Sequence, residues 1–246
     1  MPYATVLGVD CATRPEKVGL ARAVRDEFGW RLTDAVVCGR HDRPAERLAA
    51  WLEGPRPTLL ALDAPLGWPL ALGRALTAHR AGAPLDPAAH DLFDRHTDHV
   101  VARDLGKRPL SVGADRIART AHAALSMLEE LRTLTGATIP LAWQPEPTDD
   151  VVAIEVYPAA TLIAHGVDAK GYKAREAEDA RSRVRDLLEN ALTMPLHLDL
   201  LSAHDDVVDA ALCVLAGVDF AAGAAAPPQD WRLAEIEGWI WVRRTC

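Results

Sequence analysis

The sequence predicts an α/β protein with a mixed β-sheet, in which a three-stranded antiparallel meander is joined to parallel strands and flanked by helices. Short apolar runs of strand length recur along the chain, beginning with residues 5–10, and turn-forming residues bound them. A helical pattern separates two of these runs, residues 30–37 and residues 58–63. That spacing is typical of a right-handed crossover between parallel strands. Together these patterns indicate a sheet of mixed direction.

The composition is that of an ordinary globular protein. The chain has 246 residues, of which 49% are hydrophobic and 25% charged, so it is long enough to bury a large core without disulfides or structural metals. We expect one domain over residues 1–246. The formal net charge of −8 argues against a strongly basic protein that coats nucleic acid, although a local basic groove stays possible on an acidic protein.

The cysteines and the chain start bear on cellular location. The four cysteines include no C-x-x-C pair, which favours free thiols over a zinc knuckle or a disulfide framework. Residues 1–30 lack a signal-peptide pattern, and no apolar run approaches the length of a membrane span. We therefore expect a cytoplasmic protein that does not enter membranes. The cysteines are Cys11, Cys38, Cys213 and Cys246.

The first quarter of the chain predicts the sheet and its first crossover. Strands are expected at residues 5–10, 17–24 and 30–37, followed by a helix at residues 44–52. The next apolar run, residues 58–63, is expected to lie parallel to the first strand and beside it. Both runs end in aspartate, at Asp10 and Asp63, so the two carboxylates should emerge from the same edge of the sheet.

A long, mainly helical region follows and is interpreted as an insertion at about residues 68–136. Its clearest helix spans residues 117–134. Basic residues outnumber acids between positions 103 and 119, which is compatible either with an anion-binding surface or with an ordinary solvated helix face. The basic residues are Arg103, Lys107, Arg108, Arg116 and Arg119.

The last 100 residues predict one more core strand and two helices. The strand is expected at residues 151–158, a charged surface helix at about 171–192, and a helix that opens with a capping signal at Ser202. A flexible break at residues 221–228 then precedes a terminal strand at 239–242.

Acidic residues stand at comparable places in these elements. Alternation along the third apolar strand puts Glu155 opposite Ile154, where a simple exposed strand residue is an equal interpretation. In the late helix, Asp209 shares a face with Asp205 and with Asp206. Acids in a first turn are often only partners of the helix dipole, but Asp209 lies beyond that turn.

These carboxylates suggest a metal site. A single strand-end aspartate such as Asp10 is equally able to cap a turn. Buried carboxylates repel one another, so collecting several of them makes sense chiefly when divalent cations compensate their charge. Mg²⁺ or Mn²⁺ suits an all-oxygen site, and two such ions about 4 Å apart support phosphodiester hydrolysis. His204 is either a proton shuttle or a plain surface residue.

The order of the motifs resembles the ribonuclease-H-like superfamily. It runs from G-V-D through L-D-A-P-L-G and I-E-V-Y-P to H-D-D-V-V-D-A-A-L. More narrowly, with R-H-T-D, A-D-R-I and a terminal G-W-I-W-V, the chain resembles domain of unknown function 429, whose members are described as predicted nucleases. The loop at 11–17 lacks the glycines often seen in related nucleases and actin-like ATPases. The resemblance places acidic site positions at Asp10, Asp63, Glu155, Asp206 and Asp209, and characteristic positions of unassigned role at Arg95, Asp98 and Arg116.

The resemblance implies a ribonuclease-H-like sheet and a hydrolase that uses Mg²⁺ or Mn²⁺. We expect the five acids to bind metal and to be catalytic, and we expect Arg95, Asp98, Arg116 and His204 to bind substrate. The partner would be nucleic acid, with DNA and RNA both open. Two other functions are considered: an actin-like phosphotransferase or ATPase, and a non-catalytic binding protein on the same fold.

Overall fold

One mixed five-stranded sheet organises the computed structural model, which describes residues 2–113, 115–174, 177–194 and 204–245. The strand order is β3-β2-β1-β4-β5. Strands β1 to β3 form the antiparallel meander, while β4 is parallel to β1 and β5 is parallel to β4. The predicted α/β class and mixed sheet are confirmed. The strands are β1 (Thr5–Asp10), β2 (Gly19–Asp26), β3 (Gly29–Val37), β4 (Thr58–Asp63) and β5 (Val151–Glu155).

Helices cover both faces of this sheet. They are α1 (Pro44–Leu52), α2 (Leu70–Leu76), α3 (Ala89–Phe93), α4 (His96–Leu105), α5 (Asp115–Thr135), α6 (Pro158–Ala164), α7 (Glu178–Ala191), α8 (Asp205–Ala221) and α9 (Trp231–Glu237). Within the described part of the chain, no helix is both long enough and apolar enough to cross a membrane.

The two faces of the sheet contribute to two different hydrophobic clusters. In β1 and β4, Val6 and Ala61 pack in the cluster that contains the core of α8, whereas Leu7 and Leu60 pack in the cluster that contains residues of α1 and α5. Alternation along a strand produces this division. The contact with α8 is close at Gly8, where an added Cβ would lie 2.1 Å from the carbonyl oxygen of Ala210.

Several predicted boundaries differ from the structure. Strand β5 ends at Glu155 rather than at residue 158, because Pro158 begins α6. The predicted terminal strand forms only an isolated bridge between Ile240 and Glu155. The backbone N–H of Ile240 donates to the hydroxyl of Thr97 at 2.9 Å. This N–H is therefore bonded to a side chain and does not donate to a neighbouring strand.

The helices in the last third also differ in extent. The predicted helix at 171–192 is shorter, since α7 begins at Glu178. Helix α8 begins at Asp205 with His204 as its N-cap, and the predicted capping residue Ser202 lies outside the described residues. Helices α6 and α9 were not predicted. Of the cysteines, Cys11, Cys38 and Cys213 are free thiols, and Cys246 lies outside the described residues.

Candidate metal centre

Two adjacent parallel strands bring Asp10 and Asp63 together. Each residue ends its strand, and the two are direct partners in the β1–β4 register. Alternation places Asp10 on the same face as Gly8, and Asp63 on the same face as Ala61, which is the face covered by α8. The prediction that both carboxylates leave the same sheet edge is therefore confirmed.

Helix α8 supplies a third carboxylate to this edge. Asp209 lies in the second turn of α8 and is 1% exposed. Ligand oxygens of Asp10, Asp63 and Asp209 all lie within 4.8 Å of one another. We call these three residues the acid triad. Within the described part of the chain, it is the one group of three or more potential ligands that is compact enough to hold a metal ion.

The positive charge near the acid triad does not balance the negative charge of its three carboxylates, and their pKa values are raised. Burial, followed by the negative charges of Asp63 and Asp209, raises the pKa of Asp10 from 3.8 to about 9. Burial and the charge of Asp209 raise the pKa of Asp63 from 3.8 to about 8. Burial also raises the pKa of Asp209, against the opposing effect of Lys173. A bound cation would favour the ionised form of all three carboxylates.

A segment between α6 and α7 contributes two further groups. The ammonium of Lys173 forms an ion pair with Oδ2 of Asp209, and the hydroxyl of Tyr172 donates to Oδ1 of the same carboxylate at 2.6 Å. The charge of Lys173 also lowers the pKa of Asp10 and of Asp63. Neither residue is predicted from the sequence, because both lie in an irregular segment where the sequence pattern indicates a surface helix.

Glu155 belongs to a different cluster. Its neighbour Ile154 faces α8, so Glu155 points to the opposite face of the sheet from the acid triad. Both of its carboxylate oxygens accept from the guanidinium of Arg95, at 2.8 and 2.7 Å, and Oε2 also accepts from the backbone N–H of Leu66 at 2.9 Å. Burial raises the pKa of Glu155 even though Arg95 opposes this shift. Its role as a metal ligand stays a prediction.

Arg95 and Asp98 belong to the same buried cluster as Glu155. Both are 1% exposed, and Nη2 of Arg95 donates to Oδ1 of Asp98 at 2.9 Å. Arg95 therefore joins Glu155 to the first turn of α4. Nη1 of Arg95 also donates to the carbonyl of Glu237 at 3.2 Å, which ties α9 to the same cluster. The predicted contact of Arg95 and Asp98 with substrate stays a prediction, and Arg95 also lines a cavity that reaches Asp63.

The remaining predicted site residues lie near the start of α8 or on the surface. Oδ2 of Asp206 is 3.1 Å from Nδ1 of His204 and 3.8 Å from the ammonium of Lys17. The charge of Asp206 raises the pKa of Asp10 and of Asp209, so Asp206 is the carboxylate that flanks the triad. Asp205 instead pairs with Arg181 at 2.9 Å. The predicted roles of Asp206 in binding metal and of His204 in binding substrate stay predictions.

Ion pairs with acidic residues neutralise part of the basic charge between residues 103 and 119. Arg103 pairs with Asp104 at 2.6 Å, and Arg108 forms an ion pair with Asp94. Arg116 is exposed in the first turn of α5. These pairs favour an ordinary charged surface over a continuous anion-binding surface.

Comparison with known proteins gives a family but no activity. The family model described as "Protein of unknown function (DUF429)" matches residues 8–232, a range that includes the whole acid triad. No curated protein matches the chain. The family match agrees with the narrower resemblance drawn from the motifs.

Proposed function

Since the chain belongs to the DUF429 family, whose description names no activity, we propose from the site itself that it is a divalent-metal-dependent phosphodiesterase, of the nuclease type. One observation carries the proposal: three carboxylates from three elements converge within 4.8 Å at the edge of the sheet. We further propose a ribonuclease-H-like fold, which the meander followed by parallel strands supports.

The donor set matches a hard divalent cation. Mg²⁺ and Mn²⁺ prefer carboxylate oxygens, and the acid triad offers such oxygens without histidine or cysteine. The raised pKa values of Asp10 and Asp63 arise from burial and mutual repulsion, which a cation would relieve. A cation bound there would lower the pKa of water and stabilise charge on phosphate oxygens. A second ion, as a two-metal site requires, would need Asp206 as a further ligand.

The neighbouring residues have distinct roles in this proposal. Tyr172 fixes the orientation of the Asp209 carboxylate through its 2.6 Å hydrogen bond. The Lys173 side chain is 55% exposed, so its ammonium reaches both Asp209 and solvent at the mouth of the site. A cation in that position is suited to attract a phosphate group. Glu155 and Arg95 hold the loop after β4 by way of the N–H of Leu66, and thereby support Asp63.

The clustering of the acids supports this proposal over a binding protein that holds no metal. A binding protein on the same fold has no need for carboxylates close enough to share an ion, and their mutual repulsion would only destabilise it. No observation in the described residues specifically favours a phosphotransferase or ATPase. We therefore put forward hydrolysis alone.

Metal binding provides the first test, with Asp209→Asn as the key variant. Isothermal titration with Mn²⁺ should show binding to the wild-type protein and at least about 100-fold weaker binding to Asp209→Asn, because loss of even an outer-shell group costs 10–100-fold. The same pair of proteins should differ by at least that factor in Mn²⁺-dependent cleavage of bis-p-nitrophenyl phosphate and of a single-stranded oligonucleotide.

Asp205→Asn is the matched control. Asp205 lies one turn before Asp209 on α8 but pairs with Arg181 outside the acid triad. This variant should retain Mn²⁺ affinity and cleavage. A wild-type protein that binds no Mn²⁺, or that binds it without cleaving either phosphodiester, would contradict the proposed function.

A further inference from the structure

A cavity of about 280 Å³ opens directly beside the acid triad. Asp63, Lys173 and Cys11 are among the residues that line it. The helical region contributes Leu110 and, from the first turns of α5, Ile117 and Thr120. The cavity therefore connects the candidate metal centre with the region that the sequence analysis treated as an insertion.

The lining of the cavity is mainly apolar. Val156, Tyr157 and Ile240 line the cavity together with Leu110 and Ile117. Leu110, which lines the cavity, is 68% exposed. Four charged residues also line the cavity, but two of them, Arg95 and Glu155, are already paired with each other, so the surface suits a group with apolar faces.

Two polar groups on the walls distinguish this cavity from a lipid pocket. The hydroxyl of Thr120 donates to the carbonyl of Arg116 at 2.9 Å, which leaves its oxygen available as an acceptor. The side chain of Tyr157 forms no hydrogen bond within the described part of the chain. A ligand with apolar faces and polar edges would use both features, as a nucleobase does.

The volume limits the occupant to one such group. Small-molecule pockets measure about 300–1,000 Å³, so this cavity lies at the lower end of that range. It is too small for paired bases, and a long acyl chain would not be contained. An enzyme that accepts one base in a pocket acts on unpaired or extruded nucleotides.

We propose that this cavity binds the nucleoside part of a single unpaired nucleotide whose phosphate lies at the acid triad. The inference rests on the proposed function and specifies its substrate class. A free nucleotide and the end of a single strand share this chemistry. Lys173, which lines the cavity and contacts Asp209, would lie where the nucleoside joins its phosphate.

The test compares adenosine 5′-monophosphate with ribose 5-phosphate, which lacks the base. Isothermal titration of the Mn²⁺-loaded protein should show that the nucleotide binds at least about tenfold more tightly, a difference typical of base stacking on an aromatic side chain. Filling the cavity with Ile117→Trp should remove most of this difference and leave the affinity for ribose 5-phosphate unchanged. Thr120→Phe is a second substitution that fills the cavity, so the same comparison can be made if Ile117→Trp does not fold.

Ser126→Trp is the matched control. Ser126 lies farther along α5 and lines a separate cavity, also of about 280 Å³, between α5 and α1. The substitution should leave the preference for the nucleotide intact. If it abolished the preference as completely as Ile117→Trp does, the assignment to the cavity beside the acid triad would be wrong.

Competition experiments distinguish the sources of the nucleotide. A single-stranded trinucleotide that displaces adenosine 5′-monophosphate would identify strand ends as ligands, whereas displacement by free nucleotides alone would identify small nucleotides. Both results support the inference. Relaxed, covalently closed circular double-stranded DNA has neither strand ends nor unpaired loops and should not compete, and equal competition by this DNA would overturn the inference.

Failure of this inference can be distinguished from failure of the proposed function. Mn²⁺ binding with equal affinity for adenosine 5′-monophosphate and ribose 5-phosphate would contradict this inference and leave the proposed function standing. Absence of Mn²⁺ binding to the wild-type protein would contradict the proposed function, and the inference with it.

Discussion

Asp10 and Asp63 are direct register partners at the ends of two parallel strands, so a single backbone pairing fixes two of the three carboxylates of the acid triad. The third, Asp209, comes from the helix that packs on the same strands. The geometry of the site is therefore determined by the core packing of the sheet and α8. Changes to either should affect metal binding and stability together.

Without metal, the protein should lose stability as the pH rises. The pKa values of Asp10 and Asp63 are raised in the folded state, to about 9 and about 8, from 3.8. The native state thus binds more protons than the unfolded state between these values, and its free energy of unfolding falls as pH increases from about 4 to about 8. Thermal unfolding in a chelator, measured between about pH 5 and about pH 8, checks this expectation.

Asp63→Asn provides the comparison for the pH series. The amide cannot ionise, so the melting temperature of this variant should decrease less over the same interval than that of the wild-type protein. Saturating Mn²⁺ should stabilise the wild-type protein most at the upper end of the interval, where the carboxylates ionise readily. Parallel pH profiles for the two metal-free proteins would contradict the role assigned to Asp63.

Lys173→Met should destabilise the metal-free protein. The substitution removes the ammonium that pairs with Asp209 and leaves a buried carboxylate whose remaining side-chain partner, within the described part of the chain, is Tyr172. We expect a loss of about 1–3 kcal/mol in free energy of unfolding, measured by urea denaturation in a chelator. Saturating Mn²⁺ should reduce the difference from wild type, because a bound cation replaces the lost positive charge.

Lys170→Met is the control for that substitution. Lys170 is an exposed lysine in the same segment, and its side chain forms no ion pair within the described part of the chain. Its removal should change stability by less than about 0.5 kcal/mol. An equal loss for the two variants would show that the segment, and not the contact with Asp209, responds to the substitution.

Arg95→Lys should be strongly destabilising although it preserves charge. Lysine cannot reproduce the paired hydrogen bonds that the guanidinium donates to Glu155 and Asp98 in the buried cluster. Breaking a buried pair of this kind typically costs about 3–5 kcal/mol. Urea denaturation of Arg95→Lys measures the loss. Arg103→Lys, at an exposed pair with Asp104, should cost no more than about 1 kcal/mol.

Gly8→Ala should disrupt both the core and the metal site. The new Cβ would lie 2.1 Å from the carbonyl oxygen of Ala210, so α8 has to move away from β1 and take Asp209 with it. We expect a loss of at least about 2 kcal/mol, measured by thermal or urea unfolding, and weaker Mn²⁺ binding. Gly73→Ala, on α2 with open space around its Cβ, should be neutral or stabilising by up to about 1 kcal/mol. Unchanged Mn²⁺ affinity in Gly8→Ala would show that α8 need not contact β1 closely for the triad to form.

Local sequence patterns predicted the elements that carry most of the acid triad. The boundaries of β1, α1 and β4 match the prediction, since each is a short apolar or amphipathic run ended by turn residues or proline. The crossover rule then predicted that β4 lies beside β1. In the late helix, the spacing of Asp206 and Asp209 identified the second-turn acid that the structure places in the triad.

The parts that sequence patterns did not predict depend on contacts between distant segments. Lys173 reaches Asp209 from an irregular segment that has no periodicity. The terminal segment at Ile240 resembles a strand in composition, but its N–H is taken by Thr97 of α4. Short helices such as α9 carry too few residues to display a helical period.

The sequence by itself determined the mixed sheet, the shared edge of Asp10 and Asp63, and the position of Asp209 on a core-facing helix, because periodicity and strand ends are local properties. Only the tertiary structure decided which acids meet. Side-chain alternation in the assembled sheet sets Glu155 on the opposite face from the acid triad, where it pairs with Arg95, and the packing of α8 brings Asp209 within 4.8 Å of the strand-end carboxylates. Those relations depend on the face to which each element packs, which no single segment specifies.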